Sequence, residues 1–298
     1  CRGPFQAMGG NASFDAMRAL TFLARRFVAG ETHAQAIEAV RKLNKKGLRA
    51  SLDFLGEDTE TEAQAAGAAD EYTALLAAIH GAGVEANVSL KLTQFGLNLG
   101  PAVAKRHLGR VLEQAKRLKN FVRVDMEGSA WTQATLDLVV DAHKSYGNVG
   151  TVLQSMLRRT PKDVAFLNKA GIRVRLCKGA YKEPADVAYP GKAEVNEAYD
   201  ALARELLDHG AFPGLATHDD GRIEAAIAHA KAKGIRPDRF EFQMLYGLRA
   251  RRWSELHAAG WGMRVYVPYG THWLPYFSRR LRERKENVLF IVRNMFRG

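Results

Sequence analysis

Only two cysteines, Cys1 and Cys177, occur among the 298 residues. They lie far apart, and Cys177 falls within the apolar run Ile172 to Cys177. A disulfide framework is therefore excluded, a reducing compartment is expected, and Cys177 reads as a core thiol. No run of about eighteen apolar residues exists, and no basic segment followed by an apolar one marks the start, so a soluble chain is expected. The chain opens on Cys1 rather than methionine, which is compatible with removal of an upstream segment. No G-x-G-x-x-G turn is present, which argues against a dinucleotide fold of the doubly wound kind. Zinc-finger and helix-turn-helix signatures are also missing. His218 with Asp219 and Asp220 lacks a second histidine at ligand spacing, so no metal site is expected. Asn11-Ala12-Ser13 matches a glycosylation acceptor by chance, since nothing indicates secretion.

What the chain has in excess is positive charge, 44 Lys and Arg against 32 Asp and Glu, a formal +12. The cations are dispersed. Short clusters at Arg41 to Lys46, Arg249 to Arg252 and Arg279 to Lys285 carry no interleaved stacking aromatics, so nucleic acid is not the expected partner. Attraction to an anionic lipid surface accounts for the same charge at least as well. With 47% hydrophobic side chains, the chain can bury either two ordinary cores or one α/β barrel.

Periodicity favours the barrel. From residue 48 onward, short apolar β-branched runs alternate with segments of helical spacing eight times. The pairs are Leu48 to Leu55 with Thr61 to His80, and Val84 to Leu92 with a helix whose Ala104, Leu108, Val111, Leu112, Ala115 and Leu118 share one face. Val122 to Met126 with Trp131 to Tyr146 follows, then Gly150 to Ser155 with a helix opened by Thr160 as N-cap and Pro161 at its first position. Ile172 to Cys177 with Glu194 to His209, Pro213 to Thr217 with Arg222 to Ala232, Phe240 to Met244 with Arg252 to Ala259, and Met263 to Val267 with Leu274 to Glu286 complete the series. Eight βα units with no ninth predict an α/β fold, a closed parallel (βα)8 barrel; an open doubly wound sheet is the competitor. Two further helices, Ser13 to Val28 and Thr32 to Lys45, precede it, so residues 1–47 read as an N-terminal helical arm and 48–298 as the barrel.

In such barrels the chemistry lies at the C-terminal strand ends. Those ends carry Glu57, Lys91, Asp125 with Glu127, Gln154, Arg175 with Lys178, His218, Gln243 and Tyr266, more charge than a scaffold needs. Beyond the eighth strand, Arg279 and Arg280 are adjacent on a polar helix. They read either as a bidentate carboxylate clamp or as a solvated basic face. Lys91 could be a Schiff-base nucleophile or an anion ligand; convergence of three cations favours a carboxylate held by Arg279, Arg280 and Lys91. Asp125 is then expected as the counter-charge of Lys91. Arg175 is expected on the barrel interior, where it suits a group that gains electrons, such as a reduced flavin. The small residues of Lys178-Gly179-Ala180-Tyr181 allow backbone amides to approach a bulky ligand.

Six ordered motifs now bear on identity: Val88-Ser89-Leu90-Lys91-Leu92, Val124-Asp125-Met126-Glu127, Arg175-Leu176-Cys177-Lys178-Gly179-Ala180-Tyr181, Ala216-Thr217-His218, Phe240-Glu241-Phe242-Gln243, and Tyr266 followed by Tyr276-x-x-Arg279-Arg280-x-x-Glu283. Over nearly the whole chain they resemble the proline dehydrogenase family, in its short monofunctional bacterial form. The resemblance implies a distorted TIM-type barrel that carries FAD without a Rossmann motif. It also implies oxidation of L-proline to Δ1-pyrroline-5-carboxylate, with electrons passed to membrane quinone. Carried over, Lys91, Arg279 and Arg280 would hold the carboxylate, and Tyr266, Tyr276, Ala180 and Leu245 would shape the pocket. Asp125, Arg175 and Tyr266 match catalytic positions. Met126, Gln154, Arg175, Lys178, Gly179, Ala180, Thr217, His218 and Glu283 match flavin contacts, and Glu57 with Arg279 matches a gate. Cys177 and Lys182 stand where relatives often carry valine and tryptophan. A cytoplasmic location follows, with peripheral association at the inner face of the membrane left open. The alternatives are a flavin oxidase of a related secondary amine such as hydroxyproline, or a basic barrel that binds nucleic acid or lipid head groups.

Overall fold

The computed structural model describes residues 26–282, with the backbone alone for 279–282. Eight parallel strands close into a barrel in chain order: β1 (Arg49–Phe54), β2 (Ala86–Leu90), β3 (Val122–Val124), β4 (Val149–Gln154), β5 (Val174–Cys177), β6 (Gly214–Ala216), β7 (Glu241–Leu245) and β8 (Met263–Tyr269), with β8 pairing back onto β1. Helix α1 (His33–Asn44) precedes the first strand. The strands are followed in turn by α2 (Glu62–Ala82), α3 (Pro101–Arg117), α4 (Ser129–Tyr146), α5 (Thr160–Lys169), α6 (Lys192–His209), α7 (Asp220–Ala232), α8 (Ala250–Ala258) and α9 (Trp273–Arg282). The α/β barrel expected from the alternation is what the chain forms.

Register explains which residues face inward. Alternate residues of a strand share a face. Asp53 lies beside Ser89, Ser89 beside Arg123 and Arg123 beside Gly150. Val152 lies beside Arg175, Arg175 beside Gly214 and Gly214 beside Glu241. Gln243 lies beside Arg264, which lies beside Arg49. This face, polar or glycine at nearly every position, lines the interior. The opposite face carries Leu52, Val88, Leu90, Val124, Leu176, Leu215, Phe242, Val265 and Val267, all fully buried. Each such side chain contributes about 1.5–3 kcal/mol by leaving water, so the apolar core is the layer between strands and helices. A barrel interior is more often filled with branched aliphatic residues; here guanidinium groups take that space. Glycines make room for these polar side chains, because a Cβ on Gly150 would lie 2.9 Å from the Arg123 guanidinium at Nη1, and one on Gly214 would lie 2.4 Å from the Gln243 amide at Nε2.

Local signals set the helix starts. Thr32 and Thr61 form capping boxes with Gln35 and Gln64 at the heads of α1 and α2, satisfying amides that have no partner within the helix. One expectation fails. Thr160 does not cap α5, because it is the first helical residue and Arg159 precedes it in helical conformation. Its buried hydroxyl instead donates to the Gln154 carbonyl at 2.6 Å, at the end of β4, where Leu157 N also donates at 3.2 Å. The expected helix Ser13 to Val28 lies outside the described residues as far as residue 25, and Arg26 to Val28 form a turn rather than its last residues. Phe27 and Val28 pack with Leu55, Tyr276 and Phe277. Ala29 N donates to Pro268 O at 2.8 Å, so this segment and α9 sit together beside the C-terminal ends of β1 and β8. No helix among the described residues is long and apolar enough to cross a membrane.

Candidate active site

A cavity of about 570 Å³ opens at the C-terminal ends of the strands. Its floor is built around Arg175, delivered inward by β5 and almost fully buried. The guanidinium donates through Nη1 to Asp125 Oδ1 at 2.7 Å and to Ser89 Oγ at 3.0 Å, and through Nε to Gln243 Oε1 at 2.5 Å. Ser89 Oγ donates to the same Asp125 oxygen at 2.8 Å. The Arg175 guanidinium also stacks on the Tyr266 ring, 5.3 Å from its centroid. Tyr266 reaches two carboxylates with one hydroxyl: it donates to Asp53 Oδ2 at 2.6 Å, with Asp125 Oδ2 at 3.0 Å.

Lys91 Nζ faces Asp53 Oδ2 at 3.5 Å. This corrects the expected pairing, in which Asp125 was the counter-charge of Lys91. Asp125 acts on Lys91 through its field, while its Oδ1 takes Arg175 and Ser89 and its Oδ2 faces Tyr266. Burial opposes the charge on Lys91, but Asp53, Asp125, Glu57 and Glu127 together outweigh it and raise its pKa. Burial likewise pushes the Asp53 carboxyl up, against the pull of Lys91 and the Tyr266 and Tyr72 hydroxyls. Lys91 therefore stays protonated and does not suit a Schiff-base nucleophile, which needs a free amine. Burial, reinforced by Asp125 and Asp53, holds the Tyr266 phenol well above its usual range, so it acts as a donor.

Asp53 escaped the sequence reading because it sits inside the run Leu52-Asp53-Phe54-Leu55 rather than at a strand end. The available signal was the residue itself, since a carboxylate within an apolar strand is costly unless paired.

The outer wall is made by loops. Lys178 and Asp219 pair at 2.6 Å, and hydrogen bonding from Lys178 holds Asp219 below the usual carboxylate range. Gly179 sits at φ +113°, and a Cβ there would lie 2.3 Å from Met156 Sδ, so only glycine fits. His218 Nε2 accepts from Leu245 N at 3.0 Å, which places its proton on Nδ1. Lys91, Asp125, Met126, Gln154, Arg175, Lys178, Gly179, Ala180, Thr217, His218, Leu245, Tyr266 and Tyr276 all line this one cavity. Gln243 lines it as well. Glu57 does not line it; it is half-buried at the exit of β1, where its charge still reaches Lys91. Glu127 turns away to bond Thr93 N and Oγ1. The side chains of Arg279 and Arg280, and all of Glu283, lie outside the described residues.

Buried charged groups gathered at a barrel mouth cost stability and persist where chemistry requires them, which places the chain among the barrel enzymes. The sequence model described as Proline dehydrogenase matches residues 36–293. The chain belongs to the proline dehydrogenase family. It is 40% identical over 281 residues to the proline dehydrogenase of Deinococcus radiodurans, covering 93% of this chain and 91% of that one. It is 39% identical over 272 residues to proline dehydrogenase 2 of Bacillus subtilis, covering 91% and 90%. Among solved structures it is similar to proline utilization A of Bdellovibrio bacteriovorus inactivated by N-propargylglycine, with a TM-score of 0.84 and 25% identity. That match covers 90% of this chain and 33% of the other, so the chain spans about a third of that longer protein.

Proposed function

We propose that this chain oxidises L-proline to Δ1-pyrroline-5-carboxylate with bound FAD as the immediate electron acceptor and membrane quinone as the next. One observation carries the reading. In a chain of this family, Lys91, Asp53, Tyr266, Asp125 and Arg175 form one continuous buried network beneath a cavity large enough for a cofactor and a small substrate; such pockets run about 300–1,000 Å³.

The residues present fit a flavin. Val152, Ala216, Met126 and Met244 offer apolar wall to a flat ring system, while Lys178 and Lys192 line the same cavity and suit a diphosphate in the absence of a glycine-rich turn. Gln154, Gly179, Ala180, Thr217, His218 and Glu283 would complete its contacts. FAD supplies a two-electron acceptor for the hydride on the carbon beside the proline nitrogen.

The protein's part is positioning and electrostatics. Arg175, fixed from behind by Asp125, Ser89 and Gln243, holds permanent positive charge where electron density accumulates. The floor is charge-balanced, because Lys91 and Arg175 face Asp53 and Asp125. A substrate carboxylate therefore needs further cations, which Arg279 and Arg280 on α9 supply together with Lys91. Tyr266 and Leu245, with Tyr276 and Ala180, enclose the ring and exclude water. Glu57 and Arg279 form the gate. The enzyme works in the cytoplasm, with docking at the inner membrane face bringing it to quinone.

A visible spectrum tests the proposal. Purified protein should absorb near roughly 380 and 450 nm as flavoproteins do. The longer band should bleach without oxygen on adding L-proline, and recover with a soluble quinone. A colourless preparation that cannot be reconstituted with FAD refutes it, and bleaching by hydroxyproline but not proline reassigns the substrate.

A further inference from the structure

The opposite end of the barrel holds a second charged cluster that the proposed reaction does not use. Arg49 starts β1, Phe121 and Arg123 flank the start of β3, and Arg173 immediately precedes β5. Phe212 lies just before β6, Glu241 starts β7, and Arg264 is near the start of β8. The guanidinium groups and rings alternate. Arg49 lies 5.6 Å from the Phe212 centroid, Arg173 lies 5.3 Å from Phe212 and 5.1 Å from Phe121, and Arg123 lies 4.9 Å from Phe121. Four guanidinium groups meet one carboxylate. Glu241 takes Arg264 at 2.6 Å and Arg49 at 3.1 Å; Arg123 and Arg173 form no ion pair among the described residues. Arg123 is 3% exposed and its Nε has no hydrogen-bond partner.

Arg123 Nη1 donates to Thr151 O at 2.9 Å and Arg173 O at 2.6 Å, and Arg264 Nη1 to Ala50 O at 2.6 Å. Carbonyls bring no negative charge, so the cluster keeps an excess of positive charge that is unfavourable alone. Burial first, then repulsion from Arg175 and Arg264, pulls the Arg123 guanidinium well below its ordinary range. Arg173 is lowered by burial and by Arg264 and Arg49, with Glu241 opposing. Flat rings between the guanidinium planes hold them apart and in place, which is the preorganisation a planar, forked donor needs to grip an oxyanion.

We infer that the N-terminal end of the barrel, around Arg49, Arg123, Arg173 and Arg264, is a binding site for a small polyvalent oxyanion of the diphosphate class. Its charge would offset the excess that Glu241 leaves. A membrane surface does not fit, because Arg123 is almost fully buried and the Arg264 side chain is 12% exposed, recessed beyond the reach of a lipid plane. A small anion needs only the groups that reach solvent, Arg173, which is exposed, and Arg49, whose side chain is 34% exposed, with Arg123 and Arg264 adding charge from behind.

The test is calorimetric titration of flavin-saturated protein with pyrophosphate, against sodium chloride at matched ionic strength; saturation with flavin keeps the C-terminal cavity from competing. Saturable one-to-one binding is expected. Arg173→Gln should weaken it at least about tenfold, since charge-assisted bonds to an anion are the strong ones. Arg236→Gln removes the same charge from an exposed pair with Asp238 and should leave it unchanged. Arg49→Gln repeats the measurement should Arg173→Gln lower the melting temperature. No saturable heat beyond the chloride control overturns the inference. Equal loss in the cluster variants and Arg236→Gln reduces it to general charge. Binding of anionic phosphatidylglycerol vesicles that needs Arg173, without pyrophosphate binding, replaces it with a lipid surface.

Discussion

Replacing Asp53 with asparagine isolates the pairing that sequence reasoning missed. At 3.5 Å from Lys91, the Coulomb attraction is ~5 kcal/mol for an effective dielectric constant of about 20. Removing one partner of a buried pair costs about 3–5 kcal/mol, because the other charge is left uncompensated. Asp125, Glu57 and Glu127 still support Lys91, so the lower end applies, about 3 kcal/mol. In a protein of this size that lowers the melting temperature by about 6–12 °C. The assay is urea unfolding of flavin-loaded protein followed by circular dichroism, for Asp53→Asn, Lys91→Met and the double variant. The two losses should couple by at least about 1 kcal/mol, because removing both charges leaves none unpaired. Tyr266 also loses a charged acceptor at 2.6 Å, and kcat/KM for proline should fall about tenfold to a hundredfold. Strictly additive losses, or a stability unchanged by Asp53→Asn, would show that Asp53 is already protonated in the folded state and refute the ion pair.

Two further outcomes follow from the cavity wall. Gly179→Ala forces a side chain into φ +113° and against Met156, at a cost of about 1–3 kcal/mol; bound flavin per protein, read from the absorbance ratio, should drop, and full retention rejects the turn as a cradle. Burial, with Asp125 adding and Arg175 opposing, pushes the Cys177 thiol up to about 12. The folded state thus keeps its proton where the unfolded chain ionises, near pH ~9. The stability this contributes is present below that pH and is lost as pH rises toward 12. Urea unfolding at stepwise higher pH should show the decline, and Cys177→Ala should lack it; iodoacetamide should modify Cys177 near pH 9 far more slowly in folded than in unfolded protein. Parallel declines in both variants discard the assignment.

Most of the barrel was legible because its apolar outward faces leave a dense signal. Leu52, Val88, Val124, Leu176, Phe242 and Val265 each sit in a run that could be read without knowing any partner. Edges moved, as when Val122 to Met126 shortened to Val122–Val124. Thr160 misled because its hydroxyl serves the Gln154 carbonyl rather than the helix start. Reading strand ends as one constellation gathered Lys91, Asp125, Gln154, Arg175, His218, Gln243 and Tyr266 into one cavity, while Glu57 and Glu127 fell outside it.

Local order along the chain was enough to determine the eight βα units, the apolar layer and the end of the barrel where polar groups collect, because each depends on spacing between near neighbours. Tertiary structure alone decided who pairs with whom. Arg175 reaches Asp125 across the barrel while Lys91 falls to Asp53, since these choices turn on interstrand register and on distances of 2.7 and 3.5 Å. The arginine and phenylalanine residues of the other end, scattered from Arg49 to Arg264, likewise become one cluster only when the sheet closes.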